Sequence, residues 1–327
     1  MSGLGGTLRP DEEAHVAIDL DGLLKQVGDR TAEKLDSLPD VIEKGQDLDV
    51  TKLPINSTWH RLADVVCVVA DLERSTNLAK GRTPAGVASI YDAGVGSIVR
   101  ILASFGADFI DIQGDAAFAL FWDERRYERA FCAAMTIRTY NPTFTKEVHN
   151  RWPKAASTGF KVGVASGPVL VKRVGPERQV DFQEPVWAGR PVNYAVKTAQ
   201  QGATDRLLVT GSVWDVIGKN DYIAFSCGCD SGVPGREPSV LWKSIELEKI
   251  PDGQRHGTYV GSTWCSTHGQ DFCTEIMAGK TARGGIPHRE MSKRNLLDEG
   301  TVLLKDASRQ RAEEKAASLK TFLDASK

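Results

Sequence analysis

Two aspartates stand where carboxylates can do metal chemistry. Asp71 ends the continuous apolar run VVCVVA, and Asp115 sits in the tight Gly114-Asp115 of the run DFIDIQGDAAFALFW. A β-branched run of this length predicts a buried strand with Asp71 at its carboxyl end, and two short apolar runs around Gly-Asp predict a hairpin with Asp115 at its tip. Hard divalent cations, Mg²⁺ or Mn²⁺, take one or two carboxylates plus substrate phosphate oxygens. Two such ions about 3.5–4 Å apart clamp the attacking and leaving oxygens of an in-line phosphoryl displacement. Directly after Asp71, the segment Leu72-Glu73-Arg74-Ser75-Thr76 enters a turn whose backbone N–H groups can cradle phosphate, with Ser75 and Thr76 as the candidate phosphate-binding residues. On its own a strand-end aspartate reads as a turn cap; two of them on elements that one topology makes neighbours read as a phosphoryl-transfer site. A second cluster comes late in the chain, where Cys227 and Cys229 (Cys-x-Cys) precede Cys265 and His268 (Cys-x2-His). Four soft or borderline ligands in two short loops have the form of a closed structural Zn²⁺ site. The other reading is small buried apolar residues with a surface histidine, and the spacing is not that of a standard zinc finger.

Several elements must position these groups. Thr83-Pro84 predicts a helix start, and Val87, Ile90, Tyr91, Gly94, Val95, Ile98, Val99 and Leu102 follow at helical spacing. The hairpin comes next, then a second helix over about 124–140, strands over 160–165 and 169–174, a helix over about 191–201 and a strand over 207–210. The order β-α-β-β-α-β with additions predicts an α+β, ferredoxin-like core. With 327 residues, and roughly 100–200 residues per domain, the length allows about two domains. Residues 1–57, with Leu20, Leu23, Leu24 and Val27 at helical spacing, predict a helical arm and linker, and 58–225 the core. Residues 226–278, rich in Gly, Cys, Trp and Ser, predict a small module; 279–327 predict a linker and an exposed terminal helix. The formal charge of −2 leaves no global basic field to draw the chain to nucleic acid or anionic membrane. By composition no run is expected to reach the ~20 apolar residues of a membrane helix, and the first residues lack signal-peptide order, so a cytoplasmic protein is expected.

Four motifs resemble those of the class III nucleotidyl cyclases, in the family's order: CVVADLERST, FIDIQGDAAFALF, VGVASGPVLVKRVG and VWAGRPVNYAVKTAQ. The resemblance spans about 64–210. It implies that Asp71, Asp115 and the backbone carbonyl of Leu72 bind two divalent cations. It also implies a head-to-tail homodimer in which metal ligands and transition-state residues come from opposite protomers, so that a monomer is inactive. By the same resemblance Asn193 orients the ribose or α-phosphate, and Lys197 stands where the family has its transition-state arginine. A lysine neutralises phosphate charge as a point charge, without the bidentate fork.

The departures from the family pattern bear on the base. Where related adenylyl cyclases carry a lysine and an aspartate that read adenine, this chain has Asp111 and Val186. An acid cannot donate to adenine N1, and a valine cannot accept from its amine, so adenine's polar edge would go unpaired at about 1–3 kcal/mol per group. Asp111 can accept from uracil N3–H, from the cytosine amine or from guanine N1–H and N2–H, and Val186 and Trp187 are expected to narrow the pocket toward a pyrimidine. Cytosine N3 is itself an acceptor, which favours UTP. The chain is similar to the pyrimidine cyclases of bacterial Pycsar anti-phage systems, and that implies a cyclic UMP messenger acting on a separate effector, with a sensor-like role for the C-terminal module. The alternatives are a cytidylate, guanylyl or adenylyl cyclase, or a non-catalytic nucleotide sensor. A diguanylate cyclase would need a GG-acid-acid-F hairpin, which QGDAAF does not supply.

Overall fold

The computed structural model describes residues 18–286, except 46, 55, 155, 177, 231–232 and 235–236, and residues 299–325. The start of the expected arm and part of the expected terminal linker lie outside the described residues. Two units divide the chain, Met1–Val41 and Ile42–Lys327. The first holds helix α1 (Leu20–Asp36), capped by the Asp19 side chain, which accepts from the Gly22 N–H at 3.0 Å. In α1 the helical spacing of Leu20, Leu23, Leu24 and Val27 is realised, with no residue of the helix buried.

From there the elements are β1 (Val41–Lys44), β2 (Trp59–Leu72), α2 (Pro84–Ser104), β3 (Phe109–Gln113), β4 (Ala116–Phe121), α3 (Arg126–Arg151), β5 (Phe160–Val174) and β6 (Glu184–Gly189). They continue with α4 (Arg190–Gln201), β7 (Leu207–Val209), α5 (Gly211–Ile217), α6 (Asp221–Ala224), β8 (Cys229–Asp230), β9 (Val233–Pro234), β10 (Trp242–Glu246), β11 (His256–Val260), α7 (Gly269–Met277) and α8 (Glu299–Ala325). The main sheet runs β10-β11-β7-β5-β2-β4-β3, and its β5-β2-β4-β3 part, all antiparallel, is the ferredoxin-like order predicted. β2 is central. Its residues Val65 to Ala70 are 0–2 % exposed because both faces are covered. Val66, Val68, Ala70 and Leu72 pack with α2 and α3, and Val65, Cys67 and Val69 pack with Tyr194, Ala195 and Ala199 of α4.

Several boundaries differ from the sequence reading. Helix α3 continues to Arg151 through Pro142, although an interior proline costs roughly 3 kcal/mol, because Asn141, Phe144 and Val148 go on burying the same face. The two strands expected at 160–165 and 169–174 are one. The Ser-Gly-Pro at 166–168 makes a bend, with Gly167 at φ +151, opposite an extra residue in β2 between Leu62 and Val65. Asp64 in that bulge accepts from Arg126 at 2.8 Å and Tyr127 at 2.9 Å. β6 was not foreseen; it pairs with the second half of β5. Residues 226–278, expected as a separate module, lend β10 and β11 to the main sheet, joined through β7. The terminal helix is not simply exposed: Ala307 and Arg311 are buried, and Arg311 donates to both oxygens of Asp215 at 2.8 and 2.7 Å. Contrary to the reading from composition, α2 is long and apolar enough to cross a membrane. Its Ile90, Gly94, Val95, Ile98 and Leu102 are buried in the core, the role of an inner helix of a sheet protein.

Gly163 on β5 sets how closely α4 can sit. A Cβ there would lie 2.3 Å from the Ala199 amide nitrogen and 2.4 Å from the Ala195 carbonyl oxygen, both backbone atoms that cannot rotate away. Gly163→Ala is therefore expected to lower unfolding free energy by about 1–3 kcal/mol, the cost of overpacking. Urea denaturation checks this, and an unchanged midpoint would show that α4 has room to move.

Candidate active site

Strand register builds the site. Asp71, next to last in β2, lies opposite Ala116 of β4 on one side and Lys161 of β5 on the other. Ala116 follows Asp115, so the β3–β4 turn carries Asp115 to the end of β2. Gly114 makes that turn at φ +64, a left-handed conformation that glycine adopts without strain. Asp71 is half-buried, and its proton affinity is raised by burial first and then by the charge of Asp115, with Lys161 acting in the opposite sense. Two carboxylates that repel one another at a partly desolvated strand end fit a divalent cation, which removes both penalties at once. Alternation along β2 places Asp71 on the α4 face, while the Leu72 side chain is buried in the opposite core.

The following turn is held rigidly. Glu73 donates its N–H to the Gly159 carbonyl at 2.8 Å and accepts from the Thr158 hydroxyl at 2.7 Å. Arg74 adopts φ +58, and Ser75–Asn77 form one 3₁₀ turn in which Asn77 and Leu78 donate to Arg74 and Ser75. Among the described residues, the N–H groups of Arg74, Ser75 and Thr76 have no backbone partner. Arg74, Asn77, Lys80, Lys154 and Ala156 line an open cavity beside this turn. Lys80, Lys154 and Lys161 escaped the sequence reading because isolated lysines carry no motif; the hydrogen bonds of Glu73's backbone to the Gly159 carbonyl and from the Thr158 hydroxyl bring the two loops together.

The other candidates lie elsewhere in the fold. Asp111 of β3 pairs with Phe118, two residues further from the sheet end than Ala116, so it is set back from the Asp71–Asp115 pair. Its carboxylate accepts from the Ile112 N–H at 2.9 Å and the Gln113 amide at 3.2 Å. Trp187 packs on Phe109 and Trp122 with ring centroids 5.0 and 5.6 Å apart, and Phe109 precedes Asp111 by two residues on the same side of β3. Val186 does not join them. It is 42 % exposed and alternates to the other face of β6, so the two residues expected to narrow one pocket point apart. On α4, Pro191, Tyr194, Ala195, Thr198 and Ala199 are buried, which leaves Asn193 and Lys197 together on the outer face, four residues apart. The Lys197 ammonium lies 6.0 Å from the Tyr194 ring centroid.

One further group of ligands is assembled. The sulfur atoms of Cys227, Cys229 and Cys265 and a ring nitrogen of His268, which could hold a metal ion, lie within 4.8 Å of one another, and all four residues are partly buried.

Comparison with known proteins places this geometry in a lineage. The model of the adenylate and guanylate cyclase catalytic domain matches residues 59–243. A protein named uridylate cyclase from Micromonospora echinofusca is 44 % identical over 279 residues, covering 84 % of this chain and 90 % of that one. Another of the same name, from Propioniciclava tarda, is 42 % identical over 294 residues, covering 86 % and 93 %. Among solved structures, the adenylyl cyclase CyaB from P. aeruginosa is 14 % identical with a TM-score of 0.48, over 62 % of this chain and 95 % of that one. The family match covers more than half of the chain, and it includes both strand-end carboxylates and the α4 face; the protein is a member of the class III nucleotidyl cyclase family.

Proposed function

We propose that this chain is a uridylate cyclase, converting UTP to 3′,5′-cyclic UMP and pyrophosphate. The observation that carries the reading is the Asp71–Asp115 pair at the end of β2, in a chain more than 40 % identical to two proteins named uridylate cyclase. Class III cyclases use divalent cations. In this chain Asp71, Asp115 and the Leu72 carbonyl would hold two of them, Mn²⁺ or Mg²⁺. When bound, the ions supply acidity to the ribose 3′-hydroxyl and positive charge to the triphosphate.

The 3′-oxygen attacks the α-phosphorus, the bond from α-phosphorus to the bridging oxygen breaks, and pyrophosphate leaves. The chain's own residues position these atoms. The turn at Ser75 and Thr76 offers N–H groups to phosphate, with Arg74, Lys80 and Lys154 adding charge. Asn193 orients the ribose, and Lys197 neutralises charge that develops on the α-phosphate. Asp111 accepts from uracil N3–H, with Trp187 as the apolar wall. We place Asp71 and Asp115 in one protomer and Asp111, Asn193 and Lys197 in its partner, as the family's homodimers imply. Catalysis is assigned to residues 58–225 and a regulatory, sensor-like role to 226–278, in a cytoplasmic protein whose cyclic UMP activates a separate anti-phage effector.

The test is incubation of the purified chain with Mn²⁺ and each ribonucleoside triphosphate, with products identified by mass. Cyclic UMP should dominate, and Asp71→Ala should lower its formation on the order of 10²–10⁴-fold, the several kcal/mol that metal catalysis supplies. Dominant cyclic CMP, GMP or AMP would overturn the substrate, and no product from any nucleotide would favour a nucleotide sensor. Asp111→Ala should cut kcat/KM for UTP about 10–100-fold, since it leaves one base group unpaired; a change in CTP or GTP turnover alone would remove Asp111 from the base site.

Two further outcomes follow from the same assignments. Mixing inactive Asp71→Ala and Lys197→Ala chains should restore about a quarter of wild-type activity, because half of a random dimer mixture then holds one intact composite site of two. No recovery after subunit exchange would put both residues in one protomer's site.

The raised proton affinity of Asp71 has its own sign. A carboxyl raised above its unfolded value stabilises fully below the unfolded pKa, and that contribution is lost as pH rises through the folded one. Asp115→Asn removes one cause of the shift. In chelator, its thermal midpoint should exceed wild type at neutral pH and converge with it in acid, while cyclase activity is lost. Equal midpoints across the range would show that the two carboxylates do not interact.

A further inference from the structure

We propose that Cys227, Cys229, Cys265 and His268 form a closed, tetrahedral Zn²⁺ site that pins residues 226–278 to helix α3 and takes no part in nucleotide chemistry. Zinc bonds of ~2.3 Å to sulfur and ~2.0 Å to nitrogen, arranged tetrahedrally, set the ligand atoms about 3.5–3.8 Å apart. Here the Cys229 Sγ lies 3.3 Å and the Cys265 Sγ 3.9 Å from the His268 Nδ1, on either side of that value, and all four atoms fall within 4.8 Å. The cysteines are unbridged. Three sulfurs and an imidazole are a soft set that selects zinc over the hard cations of the carboxylate site.

The backbone around the cluster is shaped for a metal. Gly228, between two of the ligands, is buried at φ +82, a conformation that lets Cys227 and Cys229 turn toward one point. The Thr267 N–H donates to the Cys265 Sγ at 3.4 Å, which stabilises a thiolate inside the Cys-x2-His turn. Three thiolates, a neutral imidazole and Zn²⁺ sum to a charge of −1. A counter-charge is at hand: Arg283 lies 4.7 Å over the Phe272 ring, donates to the Ser226 carbonyl at 2.6 Å and interacts electrostatically with Cys227.

The clamp joins two segments far apart in the chain. Cys227 and Cys229 follow α6; Cys265 and His268 lead into α7. That second segment is fastened to α3, where Trp264 donates through its indole to the Thr136 hydroxyl and through its backbone to the Thr139 hydroxyl, both at 2.9 Å. Without a metal, three sulfurs would crowd one imidazole. α3 packs on the sheet face opposite α4, so the clamp is on the other side of β2 from Asn193 and Lys197.

Elemental analysis of the full-length chain, purified without chelator and dialysed free of loose metal, tests the site. One zinc per chain is expected, kept by Asp71→Ala and reduced at least tenfold in Cys229→Ser. Replacement by Co²⁺ in the wild-type chain should give the intense visible bands of tetrahedral cobalt bound to thiolate, a readout that stands even if Cys229→Ser fails to fold. The folded Cys229→Ser chain should unfold at lower temperature yet retain nucleotide turnover in the cold. A native chain with no zinc and no cobalt bands, or one lighter by two hydrogens because the cysteines have joined in a disulfide, would overturn the proposal. Metal content is read without nucleotide, so the clamp and the choice of UTP stand or fall separately.

Discussion

Everything at the carboxylate end of the sheet depends on β2 being buried on both faces and paired on both edges. A strand so placed cannot slip, since a one-residue shift would turn its alternate side chains to the wrong core. Asp71 is therefore held where β2 stops. The same ladder aligns Ala116 beside it, and the left-handed Gly114 brings Asp115 to it. The two charges are thus forced together by hydrogen-bond register, at a cost that a divalent cation relieves. Apolar packing that has no chemistry of its own thus sets two like charges side by side at a strand end.

The second constraint is the closeness of α4 to the sheet. With glycine at 163, the backbone of α4 rests almost directly on β5, and the helix presents Asn193 and Lys197 outward on a base that cannot yield. Asp111 and Trp187 are built differently, through the aromatic contacts that join β3 to β6. The Asp71–Asp115 pair, the outer face of α4 and the Asp111–Trp187 group consequently occupy distinct places in the fold.

The C-terminal segments show a different economy of stabilisation. β10 and β11 widen the sheet by ordinary strand pairing, and Arg311 anchors the terminal helix through a two-toothed contact with Asp215. Residues 226–278 add Trp242, Leu247, Ile250, Val260 and Ile276 to the core, and between these buried positions the cysteines and His268 gather. The hard carboxylates lie at one end of β2 and the soft cysteine and histidine cluster lies against α3, so the two groups differ in ligand type as well as in position.

What the amino-acid sequence by itself determined was local. The β-branched run before Asp71, the Gly-Asp turn at 115, the Thr83-Pro84 helix start and the periodic apolar face of α2 each carry their signal within a dozen residues, so the ferredoxin-like core and its two carboxylates were legible. Four motifs in order were enough to indicate the family. Tertiary structure decided what depends on partners distant in the chain. Pro142 is tolerated because buried neighbours hold α3 beyond it; Gly167-Pro168 bends a strand instead of ending one because β2 carries a matching bulge. Lys161 meets Asp71 through strand register alone. Val186 and Trp187, adjacent in sequence, part company because a strand sends alternate side chains to opposite faces, and no reading of residue type could say that β6 was a strand before β5 was there to pair with it.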